Sequence, residues 1–376
     1  MRITIVQGGW LPIPPLLGGA VEKVWFSLGA EFARRGNQVL HISRLYRDLP
    51  AGEIINGVEH LRIRGFDAPK SRLLLWVREF FYARRVVRIL PPADILVTNS
   101  VWLPILVRDK NRGAIYVHMA RFPKGQTGIY RRAARLQAVS NVVAQAIKEQ
   151  DPRSVAKVRM IPNPLPDPIA QIDVKQTWAA REQVILYVGR IHPEKGIHIL
   201  VEAFQELVKG GLMGWRLALV GPWKPSQGGG GQDYYDSLRR KTPEAADRID
   251  WIGPVFNQGQ LVRHYRRAKL FVYPSLAEKG ESFGLAPLEA MASGCPALVS
   301  GLGCFQDFIE DERTGFVFDH RVDDPSRALC EKLHAFLADE DRLLSVGAQA
   351  YRVAANYELP KIVDLYLRDF EALRTQ

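Results

Sequence analysis

The chain has 376 residues, 47% hydrophobic and 24% charged, a globular composition sized for about two domains that excludes a mainly disordered or fibrous protein. Its 51 Lys and Arg against 40 Asp and Glu give a formal net charge of +11, and the excess is one-sided: residues 1–180 hold 27 basic and 13 acidic residues, residues 181–376 hold 24 and 27. A basic first half suits an anionic partner, whether a membrane surface, a phosphorylated acceptor or a nucleic acid.

Along the chain, short β-rich runs alternate with helical patterns. Strands are predicted at Arg2–Gln7, Val39–Ser43, Val58–Arg62, Ile95–Thr98, Ala114–His118, Gln137–Ser140 and Val158–Ile161. Further strands follow at Val184–Gly189, Arg216–Val220, Arg248–Trp251, Leu270–Tyr273, Ala297–Ser300 and Gly315–Phe318. Several are uninterrupted apolar runs (ITIV, LALV, LFVY), the mark of strands buried on both faces of a parallel sheet. The fold class read from this is α/β: two doubly wound, Rossmann-like domains in tandem, residues 1–165 and 166–358. The boundary lies in the proline-rich IPNPLPDPIA, residues 161–170, which can continue neither a helix nor a central strand. A last helical pattern, Leu359 to Leu373 within residues 359–376, is expected to pack back on the first domain. The run SQGGGG, Ser226–Gly231, reads as a flexible loop tip.

No run of about 18 apolar residues occurs, so no spanning helix is expected. The opening MRITIVQGGW lacks the longer apolar core and cleavage site of a secretory signal. Cys295, Cys304 and Cys330 form no CxxC pair, which argues against a disulfide framework or a structural zinc site. A cytoplasmic, reducing location is the expectation.

Doubly wound sheets bind ligands beyond the carboxyl ends of their strands, where the strand order reverses, so the residues following each strand carry the chemistry. Gly18 and Gly19 precede a helical pattern through Val21, Val24, Trp25, Leu28 and Phe32. Unpaired N–H groups and the dipole of such a helix start favour a phosphate, although a plain strand-to-helix turn fits equally. Arg190 and Lys195 follow the strand at Val184, with Pro193 between them; together they suit a diphosphate, or are two solvated basic residues. In GESFGLAPLEAMASGCPALVS, residues 280–300, Glu281 precedes a helix that opens at Phe283-Gly284-Leu285 and carries Glu289 about two turns in. Both carboxylates can then face one cleft, with the amides around Gly284 ready for phosphate. His118 ends the strand AIYVH, where a histidine either enters the site or is merely hydrogen-bonded at the strand terminus.

In order and spacing these pieces resemble glycosyltransferase family 4, the large retaining GT-B family, over nearly the whole chain. The pieces are GGA at Gly18–Ala20, His118 after its strand, AVS at Ala138–Ser140, IPNP at Ile161–Pro164, VGRIHPEKG, LVGP at Leu219–Pro222, WIGPV at Trp251–Val255 and ESFGLAPLEAMASGCPAL. The resemblance implies a GT-B fold, two Rossmann-like domains facing a central cleft, and a nucleotide-diphosphate sugar donor lying there. It implies that Arg190 and Lys195 neutralise the donor diphosphate, with Gly18, Gly19 and the Phe283, Gly284 and Leu285 amides completing the cradle. Glu289 would accept from the ribose hydroxyls, Glu281 would bind the 3- and 4-hydroxyls of the sugar, His118 would reach its C6 hydroxyl, and the main chain at Trp251–Val255 would position the base. Anomeric configuration would be retained by a same-face mechanism with the leaving phosphate as base, so no dedicated general base is assigned. UDP-glucose is the first donor expected, ahead of UDP-N-acetylglucosamine and GDP-mannose. The acceptor expected is a glycan or a lipid-linked molecule in polysaccharide or glycolipid synthesis.

No cofactor and no metal are required by such enzymes; Asp339-Glu340-Asp341 is read as a solvated helix face. The sequence departs from the family at MAR after His118 and at the apolar LPIPPLL before the glycines, and the role of Asp307 is not transferable.

In GT-B relatives the first domain receives the acceptor, and here that domain carries the charge. SRLLLWVREFFYARRVVRIL, residues 71–90, mixes Leu73, Leu74, Trp76, Val77, Phe80, Phe81 and Val87 with Arg72, Arg78, Arg84, Arg85 and Arg88. It reads either as a basic helix whose apolar other face lies on an anionic membrane, or as a helix whose apolar face is simply core. A nicotinamide-dependent oxidoreductase is disfavoured because no G-x-G-x-x-G follows the first strand. A nucleic-acid-binding protein is disfavoured because no RRM, KH or helix-turn-helix pattern is present. A GT-B epimerase or phosphorylase remains the alternative on the same fold.

Overall fold

Strands with apolar residues on both faces need helices above and below, which a parallel sheet wound in both directions supplies. In the computed structural model, which describes residues 1–17, 19–69, 71–166 and 172–375, the chain builds two such sheets. The first contains β1 Arg2–Val6, β2 Gln38–Leu45, β3 Gly52–Ile55, β4 Val58–Arg64, β5 Ile95–Thr98, β6 Ala114–Met119, β7 Arg135–Ala138 and β8 Val158–Met160. Their order is β3-β4-β2-β1-β5-β6-β7-β8, parallel throughout except for β3 against β4. The second contains β9 Glu182–Val188, β10 Arg216–Val220, β11 Ile249–Gly253, β12 Ala268–Tyr273, β13 Ala297–Ser300 and β14 Phe316–Phe318, all parallel, in the order β11-β10-β9-β12-β13-β14. Strand order reverses at β1/β5 in the first sheet and at β9/β12 in the second.

The chain forms two compact units, Met1–Pro168 with Tyr357–Gln376, and Ile169–Asn356. In the first, helix Ala20–Arg34 sets Val24, Trp25, Leu28 and Phe32 on the sheet, at the 3–4 residue spacing of one helix face. Helix Leu359–Arg374 joins the same core through Ile362, Val363, Tyr366 and Phe370, packed with Ile3, Val97 and Tyr116. Its Asp369 is buried, which a carboxylate tolerates only when paired. It accepts from the Tyr116 hydroxyl at 3.0 Å and pairs with Arg135 at 2.8 Å.

Three expectations are corrected. The β3–β4 hairpin went unpredicted; its turn is Asn56-Gly57, both with positive φ (50° and 78°), the two-residue turn whose twist matches antiparallel strands. The Ser226–Gly231 run is a pinned loop. The Gly230 and Gly231 amides donate to the Ile191 and Trp223 carbonyls at 2.8 Å, and a Cβ on Gly229 would sit 2.1 Å from the Trp223 backbone, so glycine there serves close packing. Helix Arg72–Ile89 does not separate an apolar face from a basic one. Tyr82, Ala83 and Val86 enter the core, whereas Leu73, Leu74, Trp76, Val77 and Phe81 are exposed, as are Arg84, Arg85 and Arg88.

Candidate active site

The polar cluster of the second unit lies at the carboxyl ends of β9 and β12, the strands flanking its reversal. Past β9 the chain makes a single 3₁₀ turn, Pro193–Lys195, closed by Gly196 in the left-handed region (φ 67°). Two bonds tie this turn to the loop after β12: the Leu276 amide and the Ser275 hydroxyl both reach the Glu194 carbonyl, at 2.8 and 3.4 Å. Lys195 is thereby held with only 8% of its surface exposed. A lysine is rarely buried without an anion, and this one forms an ion pair with Glu281 Oε2. The same oxygen accepts from the Tyr273 hydroxyl at 3.1 Å and the Ser275 hydroxyl at 3.3 Å, and the ammonium stands 5.3 Å from the Tyr273 ring centroid. Burial, followed by the Glu281 charge, holds the Tyr273 hydroxyl well above its usual range, so it acts as a donor. The loop is fixed in turn by the Ser300 hydroxyl, which donates to the Ser275 carbonyl at 2.5 Å.

Arg190 leaves β9 between the stacked pair Tyr187–Tyr273 and the glycine-rich loop. Tyr187 donates to its carbonyl at 2.9 Å, and its guanidinium donates to the Gly228 carbonyl at 2.7 Å. Glu281 and Arg190 both act electrostatically on Tyr187 and Tyr273, which places them in one neighbourhood. Gly284 caps helix Leu285–Ala292 at φ 91°, where a Cβ would meet the Phe305 ring at 2.4 Å. Phe283 is core, with its ring against Phe308 at 5.7 Å, so only its main chain faces any ligand role. Glu289 sits on the helix opened by Leu285 and accepts from Tyr265 at 2.9 Å. Trp251 lies on the edge strand β11, its ring 4.9 Å from Tyr235, and Val255 follows in the next loop. Asp339 caps helix Glu340–Ala354, and Glu340 pairs with Lys269 of β12.

In the first unit His118 is the penultimate residue of β6, one short of the strand end at Met119, and is buried with the Trp25 ring edge-on at 5.3 Å. Gln137 Nε2 donates to the Ala138 and Ile161 carbonyls at 2.9 and 2.6 Å, which leaves its Oε1 as the acceptor for His118 Nδ1–H. The imidazole Nε2 then carries the lone pair, and it is buried without a partner among the described residues. Burial lowers the His118 pKa to about 4, so at neutral pH the ring is an acceptor at Nε2. Gly19 is the residue before helix Ala20–Arg34, at φ 97°, and Gly18 lies outside the described residues. The seat read as a phosphate site holds the chain's own acid: a Cβ on Gly19 would sit 2.1 Å from Glu22 Oε2. Burial raises the Glu22 pKa, against its own backbone amide and Arg121, which lower it.

Two more histidines share this unit. His41 and His60 face each other across β2 and β4 with rings stacked at 5.4 Å. Burial, then the neighbouring charges of His60 and Arg62, lower His41 to about 3; burial, then Arg62, lower His60 to about 4. An unfolded histidine takes its proton below about 6.5 and these take theirs only near 3–4, so stability present at neutral pH is lost as pH falls through that window. At pH 5 each should cost about 2 kcal/mol. The melting midpoint should drop between pH 7 and pH 5, and H41L/H60L should flatten that drop. Glu22 and Glu79, raised by burial, act in the opposite sense, so the comparison of slopes is the measurement; an unchanged slope removes the histidine account.

Of the residues read from sequence, Lys195 and Glu281 are in direct contact and Arg190 is near them; Glu289 accepts from Tyr265, and Trp251 packs on Tyr235. Sequence reading missed Tyr273 and Ser275, which donate to Glu281, Ser300, which donates to the Ser275 carbonyl, and Gln137, which orients His118. Their one signal is position at or just beyond a strand end. It also missed Glu22, whose place in the first helical turn was visible.

Residues 169–353 match the family model described as glycosyl transferases group 1. The chain is 34% identical to D-inositol 3-phosphate glycosyltransferase of Nocardia farcinica over 52% of its own length and 41% of that protein, so it spans less than half of that relative. It is 26% identical to lipopolysaccharide 1,2-N-acetylglucosaminetransferase of Salmonella typhimurium over 92% of its own length and 94% of that protein. The structure of Anabaena HepE in complex with UDP-glucose superposes with a TM-score of 0.71 at 16% identity, covering 99% of this chain and 100% of that one. The two parallel sheets and these likenesses make the fold of this chain GT-B, with residues 169–353 matching the group 1 glycosyl transferases.

Proposed function

We propose that the chain is a retaining glycosyltransferase of family 4 that moves a hexose from a UDP-sugar, UDP-glucose first, to a glycan or lipid-linked acceptor at a cytoplasmic site. The observation that carries this reading is the buried Lys195, balanced by Glu281 at the reversal of the second sheet, inside the segment matched by the family. A lysine held there by a carboxylate is ready to exchange that partner for a diphosphate. UDP is favoured as the carrier because HepE, of the same fold, holds UDP-glucose.

In this reading the bond between anomeric carbon and phosphate breaks, negative charge builds on the departing diphosphate, and the sugar becomes oxocarbenium-like. Arg190, Lys195 and the amides at Phe283–Leu285 stabilise that charge, which is the leading contribution to the rate. The acceptor oxygen attacks the same face, and its proton passes to the leaving phosphate. Glu281 presents Oε1 to the 3- and 4-hydroxyls, since the bonds from Lys195, Tyr273 and Ser275 all fall on Oε2. Glu289 accepts from the ribose and the Trp251–Val255 main chain meets the base. His118 accepts from the C6 hydroxyl at Nε2, the nitrogen that Gln137 leaves unprotonated. No metal ion is part of this reading.

A thermal-shift panel of UDP-, GDP- and ADP-sugars tests it, followed by assay of nucleotide release with each hit. At saturating donor the expected rise is about 3 °C or more, for one base above the others. A flat panel refutes the reading; a response to GDP- or ADP-sugars alone keeps the transferase and discards UDP.

A further inference from the structure

Helix Arg72–Ile89 is anchored to the first unit through Tyr82, Ala83, Val86 and the buried Glu79, which accepts the Val101 amide at 2.9 Å, and at its flank Arg78 and Arg85 donate to the Asp67 and Arg64 carbonyls at 3.2 and 2.9 Å. On the opposite side, at the i, i+4 spacing that aligns side chains along a helix, Leu73, Val77 and Phe81 are 76%, 44% and 52% exposed, with Trp76 at 49% beside them. Arg84 and Arg88 continue the same side toward the C-terminal end, flanked by Arg78 and Arg85, all exposed. Glu79 is the helix's only acid, so its exposed surface bears no carboxylate. The aromatic end is rigid: Trp102 packs edge-on against Trp76 and Phe80 at 5.9 and 5.3 Å and donates from Nε1 to the Trp76 carbonyl at 2.9 Å.

We propose that this side of the helix is a docking surface for an anionic lipid bilayer. Leu73, Trp76, Val77 and Phe81 enter the boundary between headgroups and acyl chains, and Arg84 and Arg88 meet lipid phosphates. Three observations favour lipid over a protein partner. The exposed surface of the helix offers apolar and cationic side chains and no carboxylate, and arginines lay their apolar stems along an interface while their heads stay at the phosphates. The 27 basic against 13 acidic residues of positions 1–180 add long-range attraction to a negative surface. A second copy of the chain would bring the same arginines and no carboxylate. The helix lies on the bilayer; among the described residues none is long and apolar enough to cross it. This surface is independent of the proposed activity and stands or falls without it.

The test is co-sedimentation of the full chain with vesicles of phosphatidylcholine alone and with about one third phosphatidylglycerol. Binding is expected only to the mixed vesicles. R84Q/R88Q should weaken it about thirtyfold, at about fivefold per charge, and L73S/V77S about tenfold or more. Unchanged thermal melts would show that both variants fold, and the blue shift of tryptophan emission on binding should be lost in W76F. Equal recovery with both vesicle types, or full binding by both variants, overturns the proposal. A dimer in sedimentation velocity that L73S/V77S abolishes, without vesicle binding, overturns it in favour of a second copy.

Discussion

Glu281→Gln is expected to lower kcat for sugar transfer by about 10²–10³-fold, the loss seen when one preorganised electrostatic contact to a transition state is removed. Nucleotide binding should respond differently from turnover. The amide no longer balances the Lys195 ammonium, which is 8% exposed, so the variant should melt lower than the parent. UDP brings a diphosphate to that stranded cation, so its stabilising shift should be larger in the variant than in the parent. Lys195→Ala gives the reverse pattern: it leaves the carboxylate with two neutral donors, Tyr273 and Ser275, and should weaken UDP about tenfold or more. Calorimetric titration with UDP and a coupled transfer assay make both measurements. Parental turnover in both variants would remove the assigned site.

Gly196→Ala should strongly damage the second unit. Its φ of 67° is unfavourable for any side chain, and the added Cβ would lie 2.0 Å from the Pro274 carbonyl oxygen, a backbone atom that cannot step aside alone. Relief requires moving the loop after β12, which carries Ser275 and is bonded to Glu194 beside Lys195. We expect a loss of about 2–4 kcal/mol and weaker donor binding together. Gly211→Ala is the control: its φ is 91° with nothing within 4 Å of the new Cβ, so only the backbone penalty of about 1 kcal/mol remains. Equal melting points for the two variants would show that the Pro274 contact is not what glycine protects.

The parts legible in the sequence were those that a single local pattern decides. The apolar runs that became β9, β10 and β12 could only be buried strands, and Lys195 and Glu281, read from the segments after two of them, are in contact. Boundaries slipped where a side chain serves the next element. The strand expected at Gln137–Ser140 is β7 at Arg135–Ala138, because the Ser140 hydroxyl accepts the Val143 amide and starts helix Asn141–Gln150. The Asn56-Gly57 turn was visible but too short a signal beside the longer strands. Gln137 and Ser275 were not legible as site residues. Each matters through a partner brought close by strand register, as in the His118↔Gln137 pairing of β6 and β7, and register is a tertiary property. The exposure of Leu73 and Trp76 was undecidable for the same reason: composition reveals an amphipathic helix but not which of its sides the sheet will cover.

Helix Leu359–Arg374 has a bearing on synthesis. The first unit is begun by residues that leave the ribosome ahead of the second unit, yet its core lacks Ile362, Val363, Tyr366 and Phe370 until translation has passed the entire intervening unit. A growing polypeptide usually completes its leading domain first. Here the order is inverted: the nested unit can close while the one begun before it still waits with Trp25, Phe32 and Tyr116 uncovered.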